Sequence, residues 1–375
     1  MIKKFLIYLI LAMPFILGCG DKFDLATLGN IKGTTNTGDT LYVQLSPNPK
    51  IAEPGWEGFT NPTAILMGKE PFIYVCDANS IFMINLAGQR LGELNLKKFN
   101  ITNPVSITQD NRFNLIICAK LDTMGYLYSA VYKINLFAVN HEIANANWPK
   151  RILPVDGEFT YKQRSINYNA VASFSDNSYY VARTGPSNSD ISLGFDNALM
   201  IYDKDDMHIT EVANFSDPVS GTVTPNGINS MLPFPKKNNL DLIVTFKTVF
   251  ANFKTVWFHY TVNSQGDPAY ASQFSPSSVK FMTPDRFKNP TGTCLSSYED
   301  IFVADGGKDS VFKFSKYGDE MQSFGGSTVF ARPVGVAFFD KTLYVLDAGT
   351  HPDSVGTFPK VPAKIKRFKL STEIQ

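Results

Sequence analysis

Short stretches of alternating or continuous β-branched and aromatic residues, each cut off by Gly, Asn, Asp or Pro, follow one another from about residue 40 to the end of the chain. That texture predicts β-strands, because period-2 alternation and brief apolar runs between turn residues suit a pleated sheet and not an amphipathic helix. One set of runs comprises Ile73-Tyr74-Val75-Cys76-Asp77, Leu115-Ile116-Ile117-Cys118, Tyr179-Tyr180-Val181-Ala182, Leu242-Ile243-Val244-Thr245, Ile301-Phe302-Val303-Ala304-Asp305 and Leu343-Tyr344-Val345-Leu346-Asp347. A further run follows each of them, from Ile81-Phe82-Met83-Ile84 in the first case to Ile365-Lys366-Arg367-Phe368 in the last.

A repeated signature precedes each pair of runs: a proline, any residue, a small residue and usually a β-branched one. It stands as Pro62-Thr63-Ala64-Ile65, Pro104-Val105-Ser106-Ile107, Pro225-Asn226-Gly227-Ile228, Pro290-Thr291-Gly292-Thr293 and Pro333-Val334-Gly335-Val336, with a weaker copy at Tyr168-Asn169-Ala170-Val171. The starts fall roughly 42, 64, 57, 65 and 43 residues apart, close to or above the period of about 40–50 residues of a propeller blade. Turns such as Ala87-Gly88-Gln89 and Tyr317-Gly318-Asp319 lead to a fourth strand. The expectation is an all-β, six-bladed β-propeller of four-stranded blades over residues 40–375.

The last two units, Phe287 to Phe324 and Phe330 to Leu370, resemble NHL repeats, in which a Pro-x-Gly-Val start leads to a Tyr-Val-Ala-Asp strand, a Lys-Phe strand and a Gly turn. The likeness touches all six units, although only three keep the aspartate that ends the second strand, at Asp77, Asp305 and Asp347. Those carboxylates stand just before a turn, where a side chain is placed to accept hydrogen bonds from turn amides, so a structural role is expected of them. The sixth unit runs out of chain after three strands. The isolated alternating segment Thr40-Leu41-Tyr42-Val43-Gln44-Leu45 is expected to supply its outer strand and so close the ring.

Ahead of the domain, Lys3 and Lys4 precede an uncharged run from Phe5 to Leu17. This has the layout of a secretory signal, and it is shorter than the roughly 20 apolar residues of a spanning helix. Ile16-Leu17-Gly18-Cys19 resembles the lipobox of bacterial lipoproteins, which implies cleavage after residue 18, a lipid on Cys19, and a place in the bacterial cell envelope with a lean to the outer membrane. Residues 19–39, rich in Gly, Thr and Asn, read as the lipidated cysteine and a flexible tether.

Composition narrows the chemistry. Thirty-five basic against thirty-four acidic residues, with no basic cluster beyond Lys364, Lys366, Arg367 and Lys369 at strand-like alternation, argue against nucleic acid. Cys76, Cys118 and Cys294 are an odd number without zinc spacing. Cys76 and Cys118 occupy equivalent places in neighbouring units and read as small packing residues, and one disulfide stays open. The four histidines are scattered, and no Gly-x-Ser-x-Gly elbow occurs. The six inner-strand starts carry neither carboxylate nor histidine, so neither a metal nor a cofactor is expected there.

Connections between second and third strands are long in the third and sixth units, Arg183 to Asn197 and Ala348 to Lys364, and lengthened more modestly in the second and fourth. Such insertions gather on one face of a propeller and carry Tyr126, Arg183, Asp190, Phe195, Phe250, Phe253, His351 and Asp353, a content typical of binding surfaces. The sequence therefore points to a membrane-anchored, non-catalytic lipoprotein, monomeric in its propeller. The loop-rich face would meet an envelope protein, peptide or glycan. The alternative is a propeller enzyme of the lactonase, lyase or hydrolase type, which would need polar residues converging on the channel.

Overall fold

The computed structural model describes residues 41–45, 56–155, 159–185, 197–212, 215–216, 227–247, 253–275, 277–350 and 361–373. Six sheets follow one another in a ring, each built on a four-stranded antiparallel meander whose first strand is innermost, and blade 4 adds Phe215–Ser216, which pairs in parallel with Pro268–Ser272. Blade 1 is Pro62–Met67, Phe72–Asp77, Ser80–Asn85 and Arg90–Asn95, and blade 5, of the same plan, is Pro290–Leu295, Ile301–Asp305, Ser310–Phe314 and Glu320–Gly325. The inner strands of blades 2, 3, 4 and 6 are Ile101–Gln109, Asn167–Ser173, Ile228–Pro233 and Pro333–Phe339. Every inner strand begins on one face of the ring, the mouth face. Connections between second and third strands return to that face, and the other turns lie opposite.

The second strands are buried along nearly their whole length, because their two faces pack against two neighbouring blades. That is why they read as continuous apolar runs. Core clusters accordingly sit between blades: Tyr74, Ile117 and Ile134 join blades 1 and 2, Tyr180, Val244 and Phe258 join blades 3 and 4, and Ile301, Phe312 and Phe234 join blades 4 and 5.

Blade 6 consists of Pro333–Phe339, Thr342–Asp347 and Ala363–Leu370, and its outer strand is Tyr42–Gln44 from the other end of the chain. Tyr42 pairs with Leu370 and Gln44 with Phe368 in antiparallel register. The insertion is also a packing event, since the Tyr42 ring stacks on Phe324 and meets Phe302 edge-on, both in blade 5. A second short strand, Glu57–Phe59, pairs with the far end of Ala363–Leu370, which the sequence pattern did not indicate.

Two local expectations change. In blade 4 the repeat lies three residues later than its proline implies. Ile228 pairs with Phe246 and Ser230 with Thr245, with Asn229 bulged between them, just as Pro62 and Ala64 pair with Asp77 and Cys76 around a bulged Thr63. The equivalent segment is thus Ile228-Asn229-Ser230-Met231. In blade 2 the expected insertion is a longer hairpin: Asn114–Thr123 and Tyr126–Asn135 stay paired to a tight turn at Met124-Gly125, so Tyr126 sits in a strand. All three described cysteines are free and buried, so no disulfide joins them.

Candidate functional site

At each blade start the inner strand bulges, by one residue in five blades and over Asn103 to Val105 in blade 2, and the residue after the bulge must fit where neighbouring inner strands converge. The bulged residues are Thr63, Val105, Asn169, Asn229, Thr291 and Val334, and their successors are Ala64, Ser106, Ala170, Ser230, Gly292 and Gly335. Steric crowding explains the small successors. A Cβ on Gly292 would lie 2.8 Å from the Cα of Gly335, and one on Gly335 would lie 2.8 Å from Cγ2 of Ile65.

Three of the four polar bulge residues reach across to the next blade, while Asn169 donates to Thr184 of its own blade. Thr63 Oγ1 donates to the Pro104 carbonyl at 2.5 Å, Thr291 Oγ1 to that of Pro333 at 3.0 Å, and Asn229 Nδ2 to that of Pro290 at 2.8 Å. These clasps fix the spacing of inner strands around the axis. Thr63→Val and Thr291→Val are each expected to lose about 1 kcal/mol. A shift of the urea midpoint would show it, and two unchanged midpoints would remove the clasp role.

Between the inner strands lies an axial cavity of about 210 Å³, lined by all six of them. Its polar groups are hydroxyls and amides, those of Thr63, Ser106, Thr108, Asn229, Ser230, Thr291 and Thr293, and its described lining contains no charged side chain and no histidine. Ser230 Oγ and Thr245 Oγ1 satisfy each other at 2.9 Å. Thr293 Oγ1 is shielded from solvent and has no hydrogen-bond partner. Cys294 also lines it, but burial pushes its thiol far above the ordinary range, so it holds no thiolate for attack. A larger hollow of about 470 Å³ beside blade 2, between Phe99, Tyr132 and Trp148, is walled mainly by apolar side chains and receives strands from no such convergence.

Of the residues nominated for the binding face, three are described, and each has a structural partner. The Arg164 guanidinium lies 3.2 Å from the centre of the Tyr126 ring, Arg183 pairs with Glu211 at 3.1 Å, and Phe253 is half-buried against the core of blades 3 and 4. Cys19, Asp190, Phe195, Phe250, His351 and Asp353 lie outside the described residues. The described histidines face carboxylates in separate places: His141 faces Glu70, His208 faces Glu211 and His259 faces Asp241.

Asp77, Asp305 and Asp347 are fully buried and bind backbone. Asp77 accepts from the amides of Thr60 and Asn61, and Asp305 from those of Lys288, Asn289 and Gly307. Asp347 accepts from Ala331, Arg332 and Gly349 and also faces Lys366 Nζ at 2.9 Å. Only Gly307 and Gly349 are turn amides. The other donors belong to the segment entering the same blade's inner strand, so each aspartate sews the incoming chain to the second strand. Sequence reading also missed the clasps, for which the sole signal was a polar residue recurring after the proline.

No family model matches the chain, and no curated protein matches it. Among solved structures it is similar to a luciferin-regenerating enzyme (13% identity, 88% of this chain and 95% of that one, TM-score 0.55). It is similar also to a gluconolactonase from Xanthomonas campestris (11% identity, 89% and 90%, TM-score 0.51) and to regucalcin, a calcium-binding protein of Agrobacterium tumefaciens (9% identity, 84% and 93%, TM-score 0.55). These likenesses establish the six-bladed propeller fold. Two of these neighbours are named for enzymatic activities, which stands against the expectation of a non-catalytic domain. That expectation drew on the inner-strand starts, the scattered histidines and the lack of a Gly-x-Ser-x-Gly elbow.

Calcium, named for one neighbour, can be tested against the donors present. A hard cation takes several oxygen ligands, carboxylates among them. The described channel lining offers no carboxylate, and no group of three or more potential ligands occurs among the described residues. The described axis does not fit such an ion.

Proposed function

We propose that this chain is a propeller enzyme of the lactonase, lyase or hydrolase type that takes a small, uncharged, oxygen-rich substrate into the axial channel from the mouth face. The observation that carries the reading is the channel itself, where six inner strands converge on hydroxyls and amides with no charged side chain among the described residues. A neutral lining of donors and acceptors suits a polyhydroxy ring or cyclic ester, whose oxygens need hydrogen bonds but no counter-charge. The gluconolactonase and the luciferin-regenerating enzyme among its structural neighbours favour the same class.

In this reading the hydroxyls that line the channel donate to a substrate carbonyl oxygen as charge develops on it, a role that fixed donors in a water-poor channel perform well. Thr63, Asn229 and Thr291 are committed to the neighbouring blade and hold the channel open. The proton acceptor is sought among Asp190, His351 and Asp353, which the sequence puts in connections between second and third strands. The test is hydrolysis of a panel of aldonolactones and acyclic esters, followed by proton release. A correctly folded domain that turns over none of the panel, and whose melting temperature no panel member raises, would sink the proposal.

We also propose that the enzyme is held to an envelope membrane by lipid on Cys19. Cys19→Ser is expected to move the protein from the membrane fraction to the soluble one and to abolish incorporation of labelled palmitate. Retention of both would refute the anchor.

A further inference from the structure

We infer that Arg332, at the rim of the axial channel, is a binding site for a carboxylate and holds the acid group of the ring-opened product. The inference rests on the hydrolytic reading proposed above and adds to it a residue outside the channel lining. Arg332 immediately precedes Pro333, where the inner strand of blade 6 begins on the mouth face. Its stem lies against blade 5. A Cβ built on Gly306 would stand 3.6 Å from Cγ of Arg332 and 3.8 Å from Cγ2 of Thr291, which lines the channel. Both side chains border the space that Gly306 leaves open, which puts the arginine beside the channel entrance.

Among the described residues, no protein group bonds to the outer nitrogens of this guanidinium. Nη2 is shielded from solvent without a hydrogen-bond partner, and Nη1, which is not shielded, has none either. Nε makes one long contact, 3.5 Å, to the Gly349 carbonyl. Asp347 lies near enough to favour the cation, but its oxygens are taken by the amides of Ala331, Arg332 and Gly349 and by Lys366. Arg286, also partly shielded, is by contrast paired with Glu320. Withdrawing a guanidinium from water with no counter-charge bonded to it costs stability, and burial lowers its pKa accordingly. A ligand with two coplanar oxygens offsets that cost, because the guanidinium fork matches a carboxylate. Hydrolysis of a cyclic ester creates such a group. The oxygen of water bonds to the carbonyl carbon and the ring C–O bond breaks. One proton of the water ends on the released hydroxyl, and the other goes to solvent. The neutral substrate thus becomes a hydroxy-carboxylate, whose new charge is drawn to Arg332 as it leaves by the mouth.

The test titrates the full chain with aldonates, each set against the alditol of the same length, and reads affinity by calorimetry. The aldonate is expected to bind about tenfold tighter or more than its alditol. Arg332→Gln is expected to abolish that preference, and Arg332→Lys to keep part of it. Arg332→Met replaces the unpaired charge by an apolar chain, and it is expected to leave the melting temperature of the unliganded protein unchanged or higher. Equal binding of aldonate and alditol, or a preference that survives in Arg332→Gln, would overturn the assignment. A lower melting temperature in Arg332→Met with the preference intact would overturn it too, since the arginine would then be structural. Aldonate binding that depends on Arg332, in a protein that hydrolyses no lactone, would keep the carboxylate site and remove the hydrolytic reading. Lactone turnover without such binding would do the reverse.

Discussion

Asp347→Ala is expected to lower stability by about 3–5 kcal/mol, the scale for removing one partner of a buried charge pair. The Asp347 side chain is 0% exposed, accepts three backbone amides and faces Lys366, whose own side chain is only 10% exposed. Deleting the carboxylate leaves the buried Lys366 ammonium to the Val329 carbonyl and the Phe330 ring and frees the amides of Ala331 and Arg332, which lead into the inner strand of blade 6. Asp347→Asn keeps an acceptor but removes the charge, and it should fall between. Urea unfolding of the two variants measures both values. A loss below about 1 kcal/mol for the alanine variant would mean that the aspartate does not secure the incoming segment.

Removal of residues 41–45 is expected to have a larger effect still: loss of the cooperative unfolding transition. Without that segment Ala363–Leu370 loses its partner along Tyr42–Gln44, and blade 5 loses the aromatic cover that Tyr42 lays on Phe302 and Phe324. A propeller tolerates few open edges, because each exposes unpaired amides and carbonyls to other chains. Tyr42→Ala, which keeps the strand and removes the ring, is expected to cost about 3 kcal/mol or somewhat more. A synthetic peptide covering residues 40–46 should restore part of the transition to the truncated protein. A truncated protein that melts like its parent would show that the ring closes without the terminal strand.

The fold was legible because its strongest determinants are local. Second strands such as Phe72–Asp77 and Thr342–Asp347 are covered on both faces, so they appear in the sequence as unbroken β-branched and aromatic runs. The closing strand was legible by elimination, since a unit with three strands and a lone alternating segment leave one economical pairing. Register in blade 4 was not. Pro225 and Gly227 imitate the repeat, while the true inner strand begins at Ile228, and only the bulge opposite Phe246 and Thr245 reveals it.

The extended hairpin of blade 2 was illegible for a related reason. Whether Ala119 to Thr123 and Tyr126 to Ala130 form a loop or a ladder depends on their pairing with each other, which no single run encodes. The candidate site was legible only as a negative, an axis without carboxylates or histidines. Its positive content, clasps between bulged Thr or Asn and the next blade's carbonyl, needs the neighbouring blade to be in place before it has any meaning.

The ring closure has a consequence for how the molecule is made. Tyr42–Gln44 is the first described strand to emerge during synthesis, and Ala363–Leu370, its partner, is the last. The earliest segment therefore waits unmatched until nearly the whole polypeptide exists, while the intervening sheets can form in turn behind it. Closure joins residues separated by more than 300 positions, an entropic burden met late and all at once. Premature termination anywhere before the final hairpin would thus leave a chain with several finished sheets and no means of sealing them, a natural substrate for quality-control proteases.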